Sequence, residues 1–239
     1  MPLLDCSLAD RVATITMDDG KANALSPAML AALNEAFDGA EKSDAMAVVL
    51  AGRPGRFSGG FDLAVLSSGG PEAEDMLRSG FELAERVLSF PRPVVIACTG
   101  HAIAMGSFLL CAGDYRVGAA GEFKLQANEV AIGLTMPHSA VAILRYRLTP
   151  PAFDRAVGLA QAFAPADAVA AGWLDEIVEP DAVVRTAQSV AASLADLDPS
   201  AHSGSKLRAR AAVVAEVRRG IDAEFGGDAV ARWRSRAAE

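Results

Sequence analysis

The chain has little of what staples or ligates: three cysteines and three histidines in 239 residues. Cys6, Cys98 and Cys111 form no CxxC pair, so neither a disulfide framework nor a zinc site is expected. Basic residues are outnumbered 22 to 30, a net charge of −8. Such a chain has no electrostatic footprint for nucleic acid, although an anionic small ligand needs only a local patch. The longest apolar runs are broken by Gly, Asp or Pro well short of a membrane span. The opening MPLLDCSLADR has no basic segment leading into an apolar one, so no signal peptide is expected. No internal repeat or low-complexity tract occurs. What remains is 51% hydrophobic and 22% charged, the composition of a globular, soluble, cytoplasmic protein with one large domain or a domain and an appendage.

Periodicity divides the chain. Residues 11–17 alternate as a strand, and AVVLAG at 47–52 and VVIAC at 94–98 are short apolar runs of the kind buried on both faces. Ser26 and Pro27 signal a helix start, and Leu30, Leu33, Phe37 and Ala40 follow at helical spacing, predicting a helix over 27–41. Another is expected over 71–89, with Met76, Leu77, Phe81, Leu83, Ala84, Val87 and Leu88 as its stripe; Gly80 inside it costs about 1 kcal/mol relative to Ala. Residues 104–112 suit a buried helix. Short strands are expected at 114–117, 123–125 and 177–178, and helices at 139–148, 150–160, 165–171, 181–196 and 205–219. Strands alternating with helices imply an α/β core with right-handed crossovers. DPSAHSG at 198–204 reads as a linker-like break, dividing a core of 1–197 from a mostly helical 198–239 that ends in RWRSRAAE.

Two glycine-containing turns follow buried strands: GRFSGGFDL at 55–63 and GHAIAMGSFLLCAGD at 100–114. Neither is a Walker loop or GxGxxG. Tight turns alone would explain the glycines. Alternatively, each turn presents main-chain N–H groups, the second at a helix N-terminus, and the two converge as an oxyanion hole.

FSGGFDL resembles the F-[SA]-A-G-x-D-[LI] signature of the crotonase (enoyl-CoA hydratase/isomerase) superfamily, and GHAIAMGSFLLCAGDYRV its second signature. KANALSPAML at 21–30 and NEVAIGLTMP at 128–137 are similar to two further blocks of that family, in the same order and at fitting spacing. The resemblance covers most of residues 10–180. It implies a spiral of ββα units, an acyl-CoA thioester substrate and an enolate intermediate. Coenzyme A enters as part of the substrate, so no separate cofactor and no metal are implied. By position the oxyanion donors fall on the amides of Phe61 and Met105, with Gly106 beside the latter. Met105 and Ala104 stand where the family has glycine, implying a narrower pocket. Losing one such donor costs about 3–4 kcal/mol of transition-state stabilisation. Lys21, Ala22, Ala24, Gly59, Gly60, Gly106 and Phe108 are the implied substrate-binding positions.

Hydratases of the family hold a water between two glutamates. The first position is Phe108 here and the second is Glu129. A lone carboxylate resembles the Δ3,Δ2-enoyl-CoA isomerase branch, in which it carries a proton from C2 to C4. Such a base needs a pKa raised toward about 6–7 by apolar surroundings, which Phe108 would help supply. The rivals are a hydratase with another acid, an acyl-CoA-binding protein without turnover, and a peptidase on the same spiral, which lacks a GxSxG elbow. Ser58 and Ser107 therefore read as structural, Asp62 as a helix cap, and Asp114 and His101 as scaffold. His138 reads as a cap or surface group within reach of the pocket. Lys21, Arg53, Arg56 and Lys206 are the cationic candidates for CoA phosphates. The resemblance also implies a homotrimer or hexamer, with which a tail face of Leu207, Ala211, Val214 and Val217 is compatible.

Overall fold

A computed structural model describes residues 2–225; the expected helical end of the tail, with its RWRSRAAE, lies outside these described residues. β1 (Leu4–Ala9) and β2 (Val12–Met17) form an antiparallel hairpin. Its two-residue turn holds Asp10 and Arg11 at φ 50° and 62°, the left-handed conformations a type I′ turn requires. β1 has no counterpart in the sequence reading, because five of its six residues are exposed and no apolar alternation marks it. The chain then runs through β3 (Ala24–Leu25), α1 (Pro27–Lys42), β4 (Ala47–Ala51), β5 (Gly55–Ser58), β6 (Gly60–Phe61), α2 (Leu63–Ser68) and α3 (Gly70–Ser89). Ser26 caps α1 by accepting the Met29 N–H, and Asp62 caps α2 by accepting those of Ala64 and Val65.

β7 (Val94–Cys98), β8 (Gly100–Ile103) and α4 (Met105–Ala112) repeat the strand–strand–helix order, and β9 (Tyr115–Ala119) and β10 (Leu125–Gln126) begin a further turn. The first strand of each unit enters a six-stranded sheet ordered β1-β2-β4-β7-β9-β11, where β11 is Glu176–Val178. The second strands β5, β8 and β10 build a separate parallel sheet, and β3 pairs with β6. This is the expected spiral of ββα units. β4 and β7 are buried throughout, because both faces of the large sheet are covered. Val48, Leu50 and Ile96 point toward α1, α3 and α4, while Val49, Ala51 and Ala97 meet Ala187 and Ala191 of α8 (Val183–Leu194).

α5 (His138–Arg147), α6 (Pro150–Leu159), α7 (Pro165–Ala171) and α9 (Pro199–Glu224) complete the described chain, and α9 lies along α3 and α5. Residues 198–204 are not a linker. Asp198 caps α9 by accepting the Ala201 N–H, Pro199 occupies the first turn, and the helix runs unbroken through Gly204. Of the expected apolar face of α9, Val217 is buried and Val214 packs partly against the core, whereas Leu207 is 46% exposed and Ala211 is exposed; Val213 and Ile221 face inward together with Lys206 and Arg210. The strand expected at 114–117 starts one residue later, leaving Asp114 free to pair with α9.

Candidate active site

Three stretches meet at one cavity. The first is the turn between β5 and β6, locked by Asn23. Its side-chain amide donates to the Met17 and Phe57 carbonyls at 2.9 and 3.1 Å, and Ser58 Oγ donates to the Asn23 carbonyl at 2.8 Å. Ser58 Oγ also accepts the Gly60 N–H. Gly60 has φ +91°, and a Cβ there would lie 2.9 Å from Ala104 Cβ and 3.3 Å from the Met105 nitrogen. Only glycine permits this approach, and it brings the main chain of 60–61 against that of 104–105.

The second stretch is the β8–α4 turn. Ala104 holds φ +50°, ψ −127°, a conformation glycine adopts more readily, and its N–H is tied to the Gln126 carbonyl at 2.9 Å. Met105 opens α4, where a main-chain N–H has no acceptor within the helix. The first helical bonds run from Ser107 and Phe108 to the Ala104 carbonyl.

The third stretch leaves β10, which is parallel to β8 with Gln126 opposite Ile103. Two residues of loop bring Asn128 and Glu129 to the cavity, ahead of a 3-10 turn at Val130–Ile132. The cavity measures about 150 Å³, and Phe61, Phe81, Phe108, Gly59, Asn128 and Glu129 are among its walls. Phe81 of α3 stacks on Phe108 at 6.0 Å and meets Phe61 edge-on at 6.2 Å. Glu129 is 7% exposed. Among the described residues, its Oε2 and Asn128 Oδ1 are buried without a hydrogen-bond partner. Burial in apolar surroundings pushes the Glu129 carboxyl up to about 7. It is the single acid among the described residues lining the cavity. The arrangement can therefore exchange one proton near neutral pH beside a pair of convergent main-chain turns.

The structure brings Gly59, Phe61, Phe108 and Glu129 to the cavity wall. Met105 and Gly106 are buried at the start of α4, and Gly106 gives room to Ser58, whose carbonyl a Cβ would meet at 2.6 Å. Ala22 accepts the Gly59 N–H, and Ala24 pairs with Gly60, so both support the first turn. Lys21 is exposed on the loop ahead of them. Arg53 is held by Asp18 at 3.2 Å and by the Lys21 carbonyl. Lys206 is corrected as a CoA-phosphate candidate: its side chain is 3% exposed and bound to Asp114 at 2.7 Å. His138 is exposed in a groove with Glu216 and Arg219, away from the cavity, whose wall its neighbour Pro137 joins. Ser107 Oγ donates to the Ala104 carbonyl, and His101 Nδ1 accepts the Lys124 N–H. The wall that sequence reasoning missed comes from α3: Leu77 and Phe81 are visible in its apolar stripe, but nothing in that periodicity distinguishes a cavity wall from core.

Residues 8–225 match the family model described as enoyl-CoA hydratase/isomerase. The probable enoyl-CoA hydratase EchA17 of Mycobacterium tuberculosis is 31% identical over 179 residues, 74% of this chain and 67% of that protein. Among solved structures, an enoyl-CoA hydratase (EchA3) from Mycobacterium marinum is 50% identical with TM-score 0.91, covering 97% of this chain and 100% of the other. The apo structure of a Mycobacterium tuberculosis enoyl-CoA isomerase is 52% identical with TM-score 0.89, covering 92% and 96%.

Proposed function

The chain belongs to the enoyl-CoA hydratase/isomerase family, and from that premise we propose that it moves the double bond of a 3-enoyl-CoA to the 2-position, with Glu129 as its proton carrier. The observation that carries this reading is the buried Glu129 carboxylate, its Oε2 without a partner, in a cavity that it shares with Phe108 and, among the described residues, with no second acid. The carboxylate removes a proton from C2. The electron pair of that C–H bond flows to the thioester oxygen, which the Phe61 and Met105 amides stabilise as an enolate. Collapse of the enolate forms the C2–C3 double bond as the C3–C4 π pair takes the proton from Glu129 at C4. No atom is gained or lost, and the base is restored.

Apolar walls serve this cycle in two ways. They hold the Glu129 pKa near that of a working base, and they exclude the water that would add to the product. Lys21, Ala22 and Ala24 lie on the substrate-binding side of the first turn in this reading. Coenzyme A comes and goes with the substrate, and no separate cofactor or metal takes part. The reading extends to a homotrimer or hexamer in the cytoplasm, and sedimentation as a monomer at micromolar concentration would remove the assembly part. The mycobacterial relatives named as hydratases favour a second reading, hydration of a 2-enoyl-CoA, which needs a water positioned beside Phe108. The test is to supply 3-enoyl-CoA and 2-enoyl-CoA separately and follow double-bond migration and water addition. Migration that disappears in Glu129→Gln supports the isomerase. Hydration that survives that substitution removes Glu129 from the mechanism, and binding without either reaction leaves an acyl-CoA-binding protein.

A further inference from the structure

Gly80 sits in the middle of the 20-residue helix α3, where alanine is the better helix former. It is buried, and its φ is not in the left-handed region, so backbone conformation does not require glycine. Space does. A Cβ on Gly80 would lie 2.5 Å from Phe61 Cζ and overlap Cε1 of the same ring, and would touch Met105 Cγ at 3.6 Å. The side chains of both residues whose amides form the proposed oxyanion hole thus converge on this one bare point of α3. The geometry points to Gly80 as a positioning residue: by lacking a side chain it sets where the Phe61 ring lies, and through that ring the direction of the Phe61 N–H relative to that of Met105. The inference rests on the oxyanion role given to Phe61 and Met105 above. Phe61 belongs to a two-residue strand that, among the described residues, pairs only with β3, and its ring meets Phe81 one residue beyond Gly80. A methyl group at residue 80 must therefore shift the Phe61 ring from its place against α3, and the inference is that the short strand bearing the Phe61 N–H moves with it.

Four proteins test this: wild type, Gly80→Ala, Phe61→Leu and the double variant. Two quantities are read in each, kcat and KM for 3-enoyl-CoA isomerisation, and the infrared carbonyl stretch of bound hexanoyl-CoA labelled with carbon-13 at the thioester carbon. That saturated thioester has no double bond to move, so its stretch reports how the site polarises the bound carbonyl without turnover. Gly80→Ala is expected to lower kcat by about 10- to 100-fold with little change in KM, and to return the stretch toward that of the free thioester. With the ring shortened, the added methyl is expected to change neither quantity, so the double variant matches Phe61→Leu. Wild-type values in Gly80→Ala, or equal losses in both backgrounds, would overturn the inference. Should Gly80→Ala alone not fold, Phe61→Leu against the double variant decides: equal stretches support it, and a stretch lost on adding the methyl overturns it. A wild type that polarises the carbonyl but moves no double bond removes the proposed reaction while the Gly80 comparison stands.

Discussion

Two places in this molecule bury charge, and they do it in opposite ways. Beneath α9, Asp114 binds Lys206 Nζ at 2.7 Å and Arg210 at 2.8 Å, and also accepts the Val94 N–H. Arg210 donates further to the Leu88 carbonyl and Lys206 to the Arg92 carbonyl. Burial pulls the Lys206 ammonium down to about 8 against the pull of Asp114, yet every ion in the group has partners. In the cavity, Glu129 is comparably buried and its Oε2 has none. A satisfied buried cluster fixes how elements pack, here α9 against the start of β9. An unsatisfied one is an acid held away from its preferred charge state, which suits a group whose task is to change that state.

The contrast can be broken from either end. The largest effect is expected at Glu129, where Glu129→Gln should lower isomerisation by about 10⁴-fold, the upper range for a lone general base. Steady-state assays with 3-enoyl-CoA measure it. In the wild type, kcat/KM should rise with pH and level off above about 7, as the carboxyl loses its proton. Next in size, Asp114→Ala strands two buried cations and should cost about 4 kcal/mol in urea unfolding.

Smaller is the pH dependence of stability that Glu129 itself creates. Its pKa is near 7 when folded against 4.5 unfolded, so the native state holds the proton more tightly. The resulting stability is fully present below about pH 4.5 and is lost as pH rises through about 7, amounting to about 3 kcal/mol. Urea titrations across that window should show this decline in the wild type and not in Glu129→Gln. That variant should therefore be the more stable protein at pH 8, the reverse of Asp114→Ala. The smallest change is Ala104→Gly, which relieves the φ +50° backbone and should add about 1 kcal/mol.

The same contrast explains what could be read from the sequence. α1, α3 and α4 and the buried strands β4 and β7 follow from local periodicity and from apolar runs enclosed on both sides. The exposed edge strand β1 carries neither signal. DPSAHSG has the composition of a loop, but its Asp and Pro stand where a helix begins, and the packing of α9 carries the helix through Ser203 and Gly204. Lys206 and Arg210 look like surface cations because their partner lies about ninety residues away in sequence. Glu129 could be singled out by the resemblance of its surrounding block, whereas the cavity it lines is walled in part by α3 and α4, which no local pattern connects to it. Gly80 appeared only as a cost to helix formation, and the reason for that cost lies on β6.

The short parallel pairing of β8 with β10 has a mechanical consequence. The chain enters the β8–α4 turn directly from one of these strands and reaches Glu129 only three residues after leaving the other, and the Ala104 N–H bonded to Gln126 clamps the two exits together. In the proposed reaction, the proton carrier and one of the two amides would thus be tied to each other through a single hydrogen-bonded strand pair, so that a change in one strand's position carries to both.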